Sequence, residues 1–182
     1  MLQKICHFLF FKCLGWRRIG KVPTVKKYIL VAIPHTSNWD FVYGWLAIQS
    51  LGLNVKIFVK DVYYRWPIRW ACDALGVIPV NRDKNTDFVD SVAANFENNE
   101  ELAILITPEG TRSKARGLKS GYYYIAQKSS AWIVVSGPNF KDKTFTFTEP
   151  RRPLASFEQD QAQVIEFSKT QVGKRPHETF QK

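Results

Sequence analysis

Tyr28–Ile33 reads YILVAI and Leu102–Thr107 reads LAILIT, with Pro34 and Pro108 closing the two runs. Both are continuous apolar stretches rich in β-branched residues. That pattern suits a strand buried on both faces, as in a parallel sheet, rather than a half-solvated one. Downstream of the first run, Asp40–Leu51 reads as a helix with Phe41, Trp45 and Ile48 inward, followed by a strand at Val55–Val59. A helix is expected over Trp66–Leu75, with Pro67 near its first turn and Gly76 stopping it. Val77–Val80 is a short strand. Thr86–Asn99 is a helix, with Phe88, Val92 and Phe96 spaced i, i+4, i+8. Beyond the second run lie a polar loop at 108–118, a helix around Ser120–Lys128 and a strand at Trp132–Ser136. Phe145–Thr148 alternates with Thr and reads as an edge strand. Ser156 and Gln159 suit a capping box for a last helix reaching about Thr170, and the polar chain from Val172 is expected to fray. Strands alternating with helices imply an α/β fold with a mostly parallel central sheet flanked by helices. Ligands in such sheets bind beyond the carboxyl ends of strands, which draws attention to the chain just after Ile33 and just after Ile106.

At 182 residues, with 45% hydrophobic and 23% charged residues, the chain fits one domain and is neither disordered, nor a collagen-like fibre, nor a multi-span membrane protein. Lys+Arg 26 against Asp+Glu 16 leaves +10, which favours an anionic partner: a phosphorylated substrate, an acidic lipid surface or a nucleic acid. Six Trp and 14% aromatics suit a surface that meets lipid headgroups or stacks on bases. Cys6, Cys13 and Cys72 make no even framework, so free thiols in a reducing cytosol are expected. His7, His35 and His177 are scattered, none at ligand spacing from a Cys, so no metal is expected.

Residues 2–16, LQKICHFLFFKCLGW, are interrupted by Lys12 and are too short to span a bilayer, which takes about 20 apolar residues. No signal-type cleavage site follows. Wound as a helix, Leu2, Ile5, Cys6, Leu9, Phe10, Cys13 and Trp16 share a face, flanked by Lys4, Lys12, Arg17, Arg18 and Lys21. An apolar aromatic face with basic flanks suits an amphipathic helix lying in one leaflet; packing on the domain is the alternative. The organisation expected is an interfacial segment at 1–22, a domain at 23–171 and a polar tail at 172–182.

Two segments carry the chemistry. In Pro34-His35-Thr36-Ser37-Asn38-Trp39-Asp40, residues five apart on one helix would diverge. With His35 in the loop and Asp40 in the first helical turn, capped by Ser37 or Asn38, the chain can fold back between them. Asp40 would then accept the Nδ1 proton of His35 and leave Nε2 as a base suited to deprotonating a hydroxyl. A loop His bonded to a carboxylate for stability alone fits the same spacing. In Thr107-Pro108-Glu109-Gly110-Thr111-Arg112-Ser113, Gly110 allows a tight turn, Arg112 offers phosphate a planar fork and Thr111 offers a hydroxyl. Glu109 can orient an arginine or a substrate hydroxyl. The strand Val77–Val80 delivers Arg82 to a loop, either as a second phosphate ligand or as a solvated cation.

Together these segments resemble the glycerolipid acyltransferase family that includes 1-acyl-glycerol-3-phosphate acyltransferases. Its His-x4-Asp block is matched by His35 and Asp40, and its Pro-Glu-Gly-Thr-Arg-Ser block by Pro108 to Ser113, with Thr107 in place of the family's Phe. Its Gly-x-x-Phe-Ile-x-Arg block is similar to Gly76–Arg82, with Pro79 and Val80 substituted. The resemblance spans roughly residues 28–138. It implies transfer of a fatty acyl group from a thioester, acyl-CoA or acyl-carrier protein, to the hydroxyl of a phosphorylated glycerolipid. It further implies His35 as base, Asp40 as its partner, and Arg82, Glu109, Gly110, Thr111 and Arg112 around the acceptor. Amides at the start of the Asp40 helix are expected to meet the oxyanion. No cofactor is expected, because the thioester is already activated. The expected setting is the cytoplasmic face of an anionic membrane, as a peripheral or monotopic protein. Another lyso-lipid or aminolipid acceptor, or hydrolysis by the same His–Asp pair, are the alternatives. A nucleic-acid-binding module is more remote, since no nucleic-acid signature accompanies the charge.

Overall fold

The two apolar runs lie side by side at the centre of the sheet. The computed structural model describes residues 1–60, 69, 76–80, 85–110 and 117–178. Strand β1 is Arg17–Ile19, β2 Lys27–Ala32, β3 Val55–Lys60, β4 Val77–Val80, β5 Leu102–Ile106, β6 Trp132–Asn139 and β7 Thr144–Phe147. Among the described residues they form one sheet in the order β1-β7-β6-β2-β5-β3-β4. Every pairing is parallel except β6 with β7. Register places Ile29 opposite Ile104 on one side and Ile133 on the other.

Side chains alternate between two cores, as the strand period of two requires. Ile29, Val31, Ile104, Ile133 and Val135 face one way, toward Val92 and Phe96 of α3 (Asn85–Glu97), Tyr122 and Ile125 of α4 (Gly121–Ser129) and Val164 of α5 (Phe157–Lys169). Tyr28, Leu30, Ala103 and Val134 face the other way, toward Ala47 and Ile48 of α2 (Asn38–Ser50) and toward Phe10 and Trp16. These runs are apolar throughout because neither face meets water. Ser156 Oγ accepts the Gln159 amide at 3.3 Å and caps α5, the serine half of the expected capping box. The helix expected over Trp66–Leu75, Arg69 apart, and Cys72 within it lie outside the described residues.

Three features differ from the sequence reading. Phe145–Thr148 was expected at an edge, but β7 is interior, because Arg17–Ile19 add a further strand alongside it. Three residues joining a partner more than 120 positions away leave no local pattern to read. Val172–Arg175, expected to fray, instead dock on the loop after β2 and the end of β6, as described below. Finally, the single apolar face expected of the N-terminal helix is divided. Helix α1, Leu2–His7, runs on into a π-helical turn at Phe8–Cys13, where Leu14 N donates to Leu9 O at 2.9 Å. A π turn carries more residues than an α turn, so the face slips in phase. Cys6, Phe10 and Trp16 turn into the domain and are buried, whereas Leu2, Ile5, Phe8 and Leu9 are 41–60% exposed and Cys13 is also exposed. Phe10 stacks on Trp16 (centroids 5.3 Å apart), which meets Tyr43 and Phe140 at 5.0 Å each. Among the described residues no helix is long and apolar enough to cross a membrane.

Candidate active site

The chain leaves β2 through Ile33 and the buried Pro34, and His35 follows at the carboxyl end of the sheet, half-buried. Ser37 is the N-cap of α2, and Asp40 is the third residue of that helix. Ser37 Oγ accepts the Trp39 amide (3.2 Å) while Asp40 Oδ2 takes the Ser37 amide (2.6 Å), a reciprocal capping box. The same oxygen accepts the Thr36 amide (2.6 Å) and the Thr36 hydroxyl (2.8 Å), and Oδ1 accepts the Lys174 amide (2.9 Å). Asp40 is 4% exposed, so these donors take the place of the water it has lost.

The hydrogen bonds described for the Asp40 carboxylate come from Thr36, Ser37 and Lys174, since a carboxylate three residues after an N-cap Ser is in ideal reach of the helix-start amides. The amides of Thr36, Ser37 and Trp39 are thereby spent within the chain, so these three do not face an oxyanion.

Glu109 approaches the same loop from the end of β5. It is 5% exposed, and its Oε2 accepts the His35 backbone amide at 2.6 Å across 74 residues of sequence. Burial pushes its carboxyl up to about 7; the His35 amide opposes that shift, and the negative charge of Asp40 adds to it. The segments after β2 and β5, apart in sequence, are thus stitched together at His35. Gly110 makes the turn beyond Glu109 with φ +64°, a left-handed conformation that L side chains rarely adopt, and its amide donates to Thr107 O at 3.2 Å. The Lys119 side chain lies over Gly110; nothing in its sequence surroundings singles it out. Arg82, Thr111 and Arg112 lie outside the described residues.

The raised Glu109 carboxyl makes stability depend on pH with a definite sign. Between about 4.5 and about 7 the folded chain holds a proton that the unfolded chain has released, so stability falls as pH rises through that window. The slope from this group is roughly 1 kcal/mol per pH unit. Urea unfolding at about pH 5, 6 and 7 should show that slope in the parent and a flatter profile in Glu109→Gln. Equal slopes in both would contradict the assignment.

A mostly apolar cavity opens at this loop. His35, Asp40 and Thr107 supply part of its lining, and Phe41, Trp45, Ile48, Val55, Leu105 and Phe145 make the remainder mostly apolar. Two polar atoms of the wall, Trp45 Nε1 and Ser136 Oγ, are buried without hydrogen-bond partners among the described residues. These wall residues come from α2 and four strands, which is why no local sequence signal locates the cavity.

An imidazole and two buried carboxyl groups beside an apolar cavity, beyond the carboxyl ends of parallel strands, fit an enzyme acting on a substrate with an apolar chain. The Acyltransferase family model matches residues 17–147, and the chain belongs to that family of acyl-transferring enzymes. No curated protein matches the sequence significantly. Among solved structures, the chain is similar to the 1-acyl-sn-glycerophosphate (LPA) acyltransferase PlsC from Thermotoga maritima. The TM-score is 0.63 at 17% identity, over 92% of this chain and 77% of that one. At that identity the likeness establishes the shared fold.

Proposed function

We propose that this acyltransferase moves a fatty acyl group from an acyl thioester, acyl-CoA or acyl-carrier protein, to the hydroxyl of a phosphorylated glycerolipid such as 1-acyl-glycerol-3-phosphate. The observation that carries the reading is His35 among the lining residues of an apolar cavity in a member of this family. The cavity suits an acyl chain, and the imidazole suits removal of the acceptor's proton.

In this reading His35 takes the hydroxyl proton as the oxygen attacks the thioester carbonyl. The tetrahedral adduct collapses, the C–S bond breaks, and the departing thiolate takes the proton from the imidazolium. An ester and a free thiol result. Asp40 serves through the loop: three of its hydrogen bonds hold Thr36 and Ser37, a fourth holds Lys174, and its charge favours an imidazolium nearby. Glu109 fixes the backbone of His35 from the other side. Arg82 and Arg112 are the cations assigned to the acceptor phosphate and Thr111 offers it a hydroxyl, with Glu109 and the turn at Gly110 positioning it.

The exposed Leu2, Ile5, Phe8 and Leu9, beside exposed Lys4, Lys12, Arg17 and Arg18, suit residence on an anionic bilayer, where both substrates concentrate. The setting in this reading is the cytoplasmic face of the membrane, as a peripheral or monotopic protein. A panel of lyso-lipid acceptors, incubated with one acyl-CoA and resolved by mass, tests the acceptor class. Phosphate-bearing lyso-glycerolipids should give most product, whereas exclusive acylation of an aminolipid would defeat this choice.

A further inference from the structure

The polar segment after α5 lies beyond the family match, which ends at residue 147, yet it bonds directly to the loop that carries His35. Gln171 and Gly173 are buried. Two bonds tie the segment to the end of β6: Phe140 N donates to Val172 O at 2.8 Å, and Asn139 Nδ2 donates to Thr170 O at 3.3 Å. Two more reach the loop: Lys174 N donates to Asp40 Oδ1 at 2.9 Å, and Arg175 N donates to Thr36 Oγ1 at 3.0 Å. Gly173 sits so close that a Cβ there would stand 2.7 Å from both Thr36 Cγ2 and Thr36 Oγ1.

The two oxygens of Asp40 therefore have different duties. Oδ2 is filled from the loop itself, by Thr36 and Ser37, whereas the described donor to Oδ1 comes from 134 residues away. A buried carboxylate oxygen that loses its donor draws the group toward whatever donor or water it can reach. Thr36, next to His35, would move with it. Thr36 is in turn held between Asp40, Arg175 and the closely packed Gly173.

We propose that residues 171–175 are a positioning strap for the active-site loop, with the backbone amides of Lys174 and Arg175 fixing Asp40 and Thr36 and so aiming His35. The proposal rests on the reading of His35 as the base. It assigns catalytic importance to a segment that would pass for a solvated tail, and it names Gly173 as a residue that must stay small.

The strap acts through main-chain donors, so proline is the informative substitution. In the full chain, Lys174→Pro removes the amide hydrogen, whereas Lys174→Ala keeps it. Loss of a hydrogen bond to a charged group predicts about 10- to 100-fold lower kcat in Lys174→Pro than in Lys174→Ala, per folded molecule, with the KM for acyl-CoA little changed. A merely structural contact predicts a lower Tm with equal kcat in the two folded variants, and that result would overturn the strap. If Lys174→Pro does not fold, Gly173→Ala gives the same readout: its added methyl displaces Thr36, and a folded Gly173→Ala with the parent's kcat would overturn the strap equally. The two readings fail separately. Normal turnover in His35→Ala defeats the base, whereas an inactive His35→Ala beside a fully active Lys174→Pro defeats the strap alone.

Discussion

His35→Ala is expected to lower acyl transfer by about 10²–10⁴-fold, the usual contribution of a positioned general base. The protein should remain folded. A bond that ties residue 35 into the site, from its backbone amide to Glu109, survives the substitution. The capping box of Ser37 and Asp40 does not involve the imidazole. A melting curve close to that of the parent, together with collapsed turnover in a thiol-release assay, is the expected pair of results. Near-normal turnover in the folded variant would remove His35 from the mechanism.

Phe8→Asp/Leu9→Asp is expected to release the protein from anionic liposomes while leaving its stability nearly unchanged. Both side chains are exposed, at 60% and 41%, so the substitution removes apolar surface from water-facing positions and adds two negative charges near an acidic surface. Activity on long-chain bilayer substrate should fall, and activity on a short-chain soluble analogue should persist. Phe10, although adjacent, predicts the opposite. It is fully buried against Trp16, and Phe10→Ala should cost about 3–5 kcal/mol of stability without acting on the membrane-facing side. Sedimentation with liposomes and urea unfolding, run on both variants, separate the two faces of one short helix. Liposome binding that survives Phe8→Asp/Leu9→Asp would contradict the membrane role.

The centre of this fold is legible in the sequence because it is written locally. YILVAI and LAILIT are apolar at every position, and each ends at a proline, so strand, burial and boundary can all be read within about seven residues. Ser37 and Ser156 are likewise visible as caps, since a cap is satisfied by amides two or three residues away. What escapes reading is the non-local part. Arg17–Ile19 form a strand only because Thr144–Thr146 lie beside them. Val172–Arg175 have no periodicity and no apolar run, and their place is set by partners at Phe140, Thr36 and Asp40. The N-terminal helix shows a third kind of limit. Its apolar residues are correctly recognised, but a π turn alters their phase, and the face splits between the domain and the solvent.

The site divides the same way. His35, Asp40, Glu109 and Gly110 stand out by spacing, and the structure brings all four to one loop junction. Asp40 has a role there that the spacing argument did not include: it is the hub of the loop's hydrogen bonds, because helix-start amides lie in close reach of a carboxylate at that position. The cavity wall could not be anticipated, since Trp45, Val55, Leu105 and Phe145 come from four separate elements and each reads as an ordinary core residue.

Transfer of an acyl group, rather than its hydrolysis, is read from stoichiometry. Acyl-CoA and 1-acyl-glycerol-3-phosphate are incubated with the protein, and free thiol and acylated products are quantified in the same sample. One new lipid ester is expected for each thiol released, with both lost in His35→Ala. Thiol release matched by free fatty acid, with no new ester, would contradict acyl transfer.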